Sequence, residues 1–182
     1  KPVTLSQDRL SELESHLMLF YTGIKRIASD VASSYVPDIQ AASSQMQDLG
    51  DMVSAGLSVL NESGDLTQFG ELLHEAWLIK RSLASVISNS EVDQIYDIAR
   101  AGGAVGGKIT GAGGGGFMVL FVPPEMQQKV REKLGNLIYV PFKLDRLGSQ
   151  IIFYEPEQDY LVAEKDRDQR SICRFKEIEL GN

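Results

Sequence analysis

"GGAVGGKITGAGGGGFMVLFV", residues 102–122, holds nine of the chain's 17 glycines in its first fifteen positions and then turns abruptly apolar. Glycine gives up more backbone entropy on folding than any other residue, about 0.5–1 kcal/mol relative to alanine in a regular element. Concentrating that cost in one place implies a demand made on the backbone. The run "FMVLFV" (117–122) reads as a strand, and "KIT" (108–110) as its partner. Residues 111–116 are then a loop between two strands, bare except for the methyl of Ala112. A tight hairpin turn needs one or two glycines, and this loop has five. Such a loop lets its N–H groups come close to another object, and successive amides can form an anion-binding nest. The plainer alternative is an ordinary glycine-rich turn. Gly102, Gly103, Gly106 and Gly107 are expected to end the preceding helix and to allow close packing into the strand.

Two phosphate-binding patterns fit by letter and fail in context. Gly102, Gly107 and Lys108 give G-x-x-x-x-G-K, but Ile109 follows where the loop needs a Ser or Thr hydroxyl for Mg²⁺. The order is also helix then strand, the reverse of what that loop joins. Gly111, Gly113 and Gly116 give G-x-G-x-x-G, yet the last glycine opens a strand and not the helix that would hold a pyrophosphate.

Outward from the block, "SEVDQIYDIARA" (90–101) reads as a helix with Ser90 as its cap. Residues 66–88 carry the clearest amphipathic stripe, through Leu66, Phe69, Leu73, Ala76, Trp77, Leu83, Ala84 and Ile87, with Lys80 interrupting it. Asp65 is placed to cap that helix. Apolar positions also recur at helical spacing over 39–60, and "IKRIASDVASSYVPDI" (24–39) reads as a short helix stopped near Pro37. "SHLMLFYTG" (15–23) reads as a buried strand. On the other side, Pro124 opens the helix "PEMQQKVREKLG" (124–135), closed by Gly135. "LIYVPFKL" (137–144) and "QIIFYEP" (150–156) read as strands of a hairpin, with Pro141 at an edge or bulge. Residues 157–182 form a charged, weakly periodic tail, so 1–156 is taken as the folded domain. The class is α+β, with helices over one face of a mainly antiparallel sheet.

A chain of 182 residues suffices for one domain with a core. Its net charge of −7 and pI near 4.9 exclude nucleic acid and anionic membrane as main partners. No window is apolar enough for a membrane helix, and no secretory pattern opens the chain. Cys173 is the sole cysteine, so neither an intrachain disulfide nor a cysteine-built metal site is available, and a cytoplasmic setting is expected. The chain opens "KPVTLSQ" with no initiator Met, which suggests a piece of something longer.

"KITGAGGGGF" (108–117) resembles the third conserved motif of the GHMP kinase superfamily, carried by a ferredoxin-like C-terminal lobe. "LMLFYTGIKRIASDV", "LLHEAWLIKRSLASVISNSEVDQIYDIARAGG" and "YVPFKLDRLGSQIIFYEP" look like the bacterial sugar kinases of that superfamily that act on D-glycero-D-manno-heptose 7-phosphate. The likeness covers residues 5–156. It implies ATP-dependent phosphoryl transfer with Mg²⁺, catalysed by positioning and electrostatics. It places the backbone of Thr110, Gly111, Ala112, Gly113, Gly114 and Gly115 beside the nucleotide triphosphate and acceptor, with Lys108 adding positive charge.

The superfamily's phosphate loop, P-x-x-x-G-L-x-S-S-A, is absent; "SAGLSVL" (54–60) lacks its proline and paired serines and lies in an expected helix. Catalytic Asp and Mg²⁺ ligands belong by resemblance to an N-terminal lobe, so no catalytic or metal residue is assigned here. The chain resembles the C-terminal half of a kinase, inactive alone, whose partner is its own N-terminal lobe. The apolar surface that such a separation exposes favours self-association. Thr22, Lys25, Arg26 and Lys80 are the candidate sugar-phosphate contacts, with Arg81 beside them; each is otherwise a solvated or snorkelling side chain. His16 and His74 have too few partners for a metal site, and Trp77 at helical spacing is core. Two other readings stay open: a kinase for another acceptor (fucose, galactose or mevalonate), and a non-catalytic ferredoxin-like module that binds a ligand or partner.

Overall fold

The computed structural model describes residues 4–24, 43–62, 64–83, 87–111 and 113–145. The chain begins with a helix that the sequence reading passed over, α1 (Gln7–His16). Ser6 caps it by accepting a hydrogen bond from the Arg9 N–H at 3.2 Å. Leu13 is its buried residue, so almost no apolar stripe marks it. The strand expected from residue 15 accordingly starts two residues later, as β1 (Leu17–Tyr21), with Met18 and Phe20 turned inward.

Two long helices follow, α2 (Ser43–Asn61) and α3 (Thr67–Leu83). Asp65 starts α3 as expected: its carboxylate accepts the Thr67 N–H at 2.8 Å, and that bond holds the Asp65 pKa below the usual range. The next helix, α4 (Ser90–Gly102), corrects the cap reading. Asn89, one residue earlier than Ser90, takes that place, its Oδ1 accepting the Val92 N–H at 2.9 Å. Gly103 closes α4 in the left-handed conformation at φ +116°.

The glycine block then forms a hairpin of β2 (Gly106–Ile109) and β3 (Phe117–Phe121). Pro123 leads into a single 3-10 turn, Pro124–Met126, and α5 (Gln127–Lys133), which ends at Leu134, one residue before the expected glycine. The strand expected over 137–144 is only β4 (Ile138–Tyr139), so Pro141 lies beyond it. The expected strand 150–156, the helix over 24–39 and the tail 157–182 lie outside the described residues.

The four strands form one antiparallel sheet in the order β2-β3-β1-β4. Leu17 faces Phe121 and Tyr21 faces Phe117 across the central pair, while Lys108 faces Val119 in the hairpin. This is the ferredoxin-like arrangement: β1 and β2 are joined by helices and separated by β3, and β4 returns to flank β1. Strand alternation sends Met18, Phe20, Ile109, Met118 and Leu120 to one face. There they meet Val92, Tyr96 and Ala99 of α4, Val130 of α5 and Trp77 of α3 in the main core. A smaller cluster on the opposite side gathers Leu13, Leu66 and Phe121, with Phe69 and Leu73 packed against it.

β2 lies unusually close to α3. A methyl at Gly106 would collide with the Gly70 carbonyl oxygen and sit 2.8 Å from the His74 nitrogen. Both obstacles are helix backbone, so glycine here is what lets the hairpin dock.

Candidate functional site

The loop between β2 and β3 folds back on the body of the domain instead of standing free. Gly113, Gly114 and Gly115 are buried, Gly116 is half-buried, and Thr110 and Gly111 are exposed. The Gly114 N–H donates to the Ile87 carbonyl at 2.8 Å, and the Gly116 N–H donates to the Ile24 carbonyl at 2.9 Å. The Thr110 N–H closes the hairpin onto the Phe117 carbonyl at 2.8 Å. The five glycines therefore do two jobs. Gly113 passes over Ile87 so closely that a methyl would lie 2.7 Å from its carbonyl oxygen. Gly111 stands at φ +74° with open space where its side chain would be. A phosphate is not the reason for every glycine: part of the bareness is filled by the protein's own backbone.

Four side chains fasten the loop. Asn89, at the head of α4, donates from Nδ2 to the Gly114 carbonyl at 3.0 Å while its Oδ1 caps the helix. One amide thus ties the loop to the start of a core helix. Thr22, 8% exposed at the end of β1, donates its hydroxyl to the Gly116 carbonyl at 2.8 Å, and its Oγ1 accepts the Ile24 N–H at 3.3 Å. Its proton is engaged beneath the loop, so Thr22 supports the loop. Lys80, on the last turns of α3, donates from Nζ to the Gly111 carbonyl at 2.8 Å. Thr110 adds a hydroxyl bond to the Phe117 carbonyl at 3.2 Å. The sequence pattern gives Ile87 a place on the apolar stripe but assigns no loop contact to it, to Ile24 or to Asn89, because their partners are remote in the chain.

Lys80 and Lys108 stand near one another, and the Lys80 ammonium is held below its usual pKa, first by burial and then by the charge of Lys108. Neither lysine has a carboxylate partner among the described residues. Arg81 behaves otherwise: it pairs with Asp93 of α4 at 2.7 Å, so its charge is compensated. His74 Nδ1 lies 2.7 Å from the Tyr96 hydroxyl, with the rings stacked. Burial depresses the His74 pKa and raises that of Tyr96 to about 12. His16 stacks on Phe121. Trp77 is 1% exposed in the main core. Lys25, Arg26 and Ala112 lie outside the described residues. Among the described residues, no group of three or more His, Cys, Asp or Glu side chains is arranged to hold a metal ion. No described helix is long and apolar enough to cross a membrane.

The domain family described as GHMP kinases C terminal matches residues 46–139. D-glycero-alpha-D-manno-heptose 7-phosphate kinase of Campylobacter jejuni is 31% identical over 129 residues, 68% of this chain and 37% of that protein. The bifunctional fucokinase/GDP-fucose pyrophosphorylase of Arabidopsis thaliana is 28% identical over 73% of this chain and 13% of its own length. Among solved structures, the mevalonate kinase of L. major in complex with R-mevalonate shares the fold with a TM-score of 0.60 at 24% identity, over 75% of this chain and 40% of that one. The chain therefore spans well under half the length of the relatives it matches.

Proposed function

The chain belongs to the GHMP kinase family, as its C-terminal domain, and from that premise we propose that it is the C-terminal lobe of an ATP-dependent sugar kinase whose acceptor is D-glycero-D-manno-heptose 7-phosphate. The observation that carries this reading is the division of the glycine loop. Gly113, Gly114 and Gly115 are clasped to the domain, while Thr110 and Gly111 are left exposed with open space beside Gly111.

A backbone edge held in place suits phosphates, because it needs no reorganisation as charge develops. ATP supplies the transferred phosphoryl group, and Thr110 and Gly111 would border it. Lys80 and Lys108 provide the uncompensated positive charge beside this edge. Lys25 and Arg26 follow Ile24, whose carbonyl holds Gly116, and they are proposed as further contacts to the sugar phosphate. Mg²⁺ ligands and the group that orients the acceptor hydroxyl are assigned to an N-terminal lobe. On its own this lobe is expected to be inactive and to associate through the surface that the other lobe covers. The single cysteine fits a reducing, cytoplasmic setting.

The fucokinase and mevalonate kinase relatives favour a second reading in which the acceptor differs and the loop works identically. ADP release, measured with both lobes together, separates the two. The first reading expects turnover with the heptose 7-phosphate. Turnover with fucose, galactose or mevalonate alone moves the acceptor, and none with any of them leaves a non-catalytic binding module.

A further inference from the structure

Beside Lys80, α2 and α3 part to leave a cavity of about 330 Å³. Its described walls are apolar, formed chiefly by Leu49, Met52 and Val53 of α2 and by Phe69, Leu72 and Trp77 of α3. Two charges break that lining, Lys80 and Lys108, both at the β2 end. Trp77 also carries an unpaired polar atom, away from solvent. The Trp77 indole N–H is fully buried with no hydrogen-bond partner, the one such side-chain atom among the described residues. The mouth is also unusual, because Val53 lines it while remaining 62% exposed.

A cavity of this size falls within the range that small ligands occupy, roughly 300–1,000 Å³, and such sites combine apolar walls with a few polar groups that fix orientation. A free sugar would be a poor occupant: its hydroxyls would meet methyl and ring carbons and lose their water without replacement. Water alone would leave the apolar walls wetted and the lysines unneutralised. We propose that the cavity between α2 and α3 binds an amphipathic anion, with an alkyl body against Leu49, Met52, Val53, Phe69 and Leu72 and a phosphate or carboxylate head between Lys80 and Lys108.

The cavity shares Lys80 and Lys108 with the proposed nucleotide edge and adds apolar walls that the edge lacks. Lys80 connects them, since its ammonium already holds the Gly111 carbonyl. An anion arriving in the cavity competes for that ammonium and loosens the loop tip. This second consequence rests on the kinase reading; occupancy of the cavity does not, and is measured without any turnover.

Trp77 is the chain's only tryptophan and forms part of the wall, so the tryptophan emission comes from a single residue at the cavity. Octyl phosphate, kept below its micellar concentration, is expected to change that emission saturably. Octanol and inorganic phosphate, each lacking one half of the ligand, are expected to bind at least tenfold more weakly. Val53→Glu, at an exposed position that folding tolerates, and Lys108→Gln should each weaken octyl phosphate at least tenfold with unchanged helical circular dichroism. Absence of a saturable change would overturn the proposal. Equal binding of octanol or of phosphate removes the amphipathic requirement, and wild-type affinity in both variants places the ligand elsewhere; either result also overturns it.

Discussion

The two glycine clusters, 102–107 and 111–116, look alike as letters and answer to different constraints. In the first, Gly106 is squeezed between a strand and the backbone of α3, and any side chain would have to displace the Gly70 carbonyl. In the second, Gly113 and Gly115 are squeezed, against Ile87 and Ile24, while Gly111 and Gly116 face open space. One cluster builds the fold. The other is half fold and half exposed edge, and a function needing close backbone approach can reside only in that half.

Substitutions should rank accordingly. Gly106→Ala is expected to be the most damaging, costing about 3 kcal/mol or more, since overpacking against fixed backbone lies at the upper end of such penalties. Chemical denaturation would show the midpoint falling or cooperativity lost; a stable Gly106→Ala protein would mean that α3 and β2 are not in contact as described. Gly113→Ala should follow at about 2 kcal/mol, combining the approach to the Ile87 carbonyl with a positive φ. Its signature is local: the Gly114 amide should exchange faster while amides of α4 keep their protection.

Asn89 separates the two halves of the second cluster. Asn89→Ala removes both the helix cap and the Gly114 anchor, for an expected loss of about 1–2 kcal/mol. Asn89→Asp keeps an oxygen for the Val92 N–H and loses only the donor to Gly114. If the two variants are equally unstable, the anchor matters and the cap does not; if Asn89→Asp matches the wild type, the reverse holds. The smallest stability effect is expected for Gly111→Ala, about 1 kcal/mol from positive φ alone. Under the proposed kinase reading, the same change should lower kcat/KM of the two lobes together more than tenfold. Large loss of activity with small loss of stability at Gly111, and the opposite at Gly106, is the contrast that the comparison requires.

Much of this arrangement was legible in the letters. The switch from glycines to "FMVLFV" identified the hairpin, the stripe through Leu66 and Trp77 identified α3, and Asp65 marked where that helix starts. What stayed hidden was either weakly patterned or remote. Helix α1 buries a single residue, so it offers no periodicity to read. Ser90 and Asn89 are both competent caps, and the choice between them follows in part from a bond to Gly114, 25 residues away. The loop's attachment to Ile24 and Ile87 joins segments whose meeting only the folded sheet determines. Lys80 was visible as a charge on an apolar stripe, but not as a tether to Gly111.

Amide hydrogen exchange resolved at single glycines tests the clasped loop most directly. With the Gly114 and Gly116 N–H groups bonded to Ile87 and Ile24, both amides should exchange slowly in the ligand-free protein, while that of the exposed Gly111 exchanges at a rate close to that of an unstructured peptide. Equal, rapid exchange at all three positions would contradict the account, because the loop would then be a loose turn with no fixed edge to offer a phosphate.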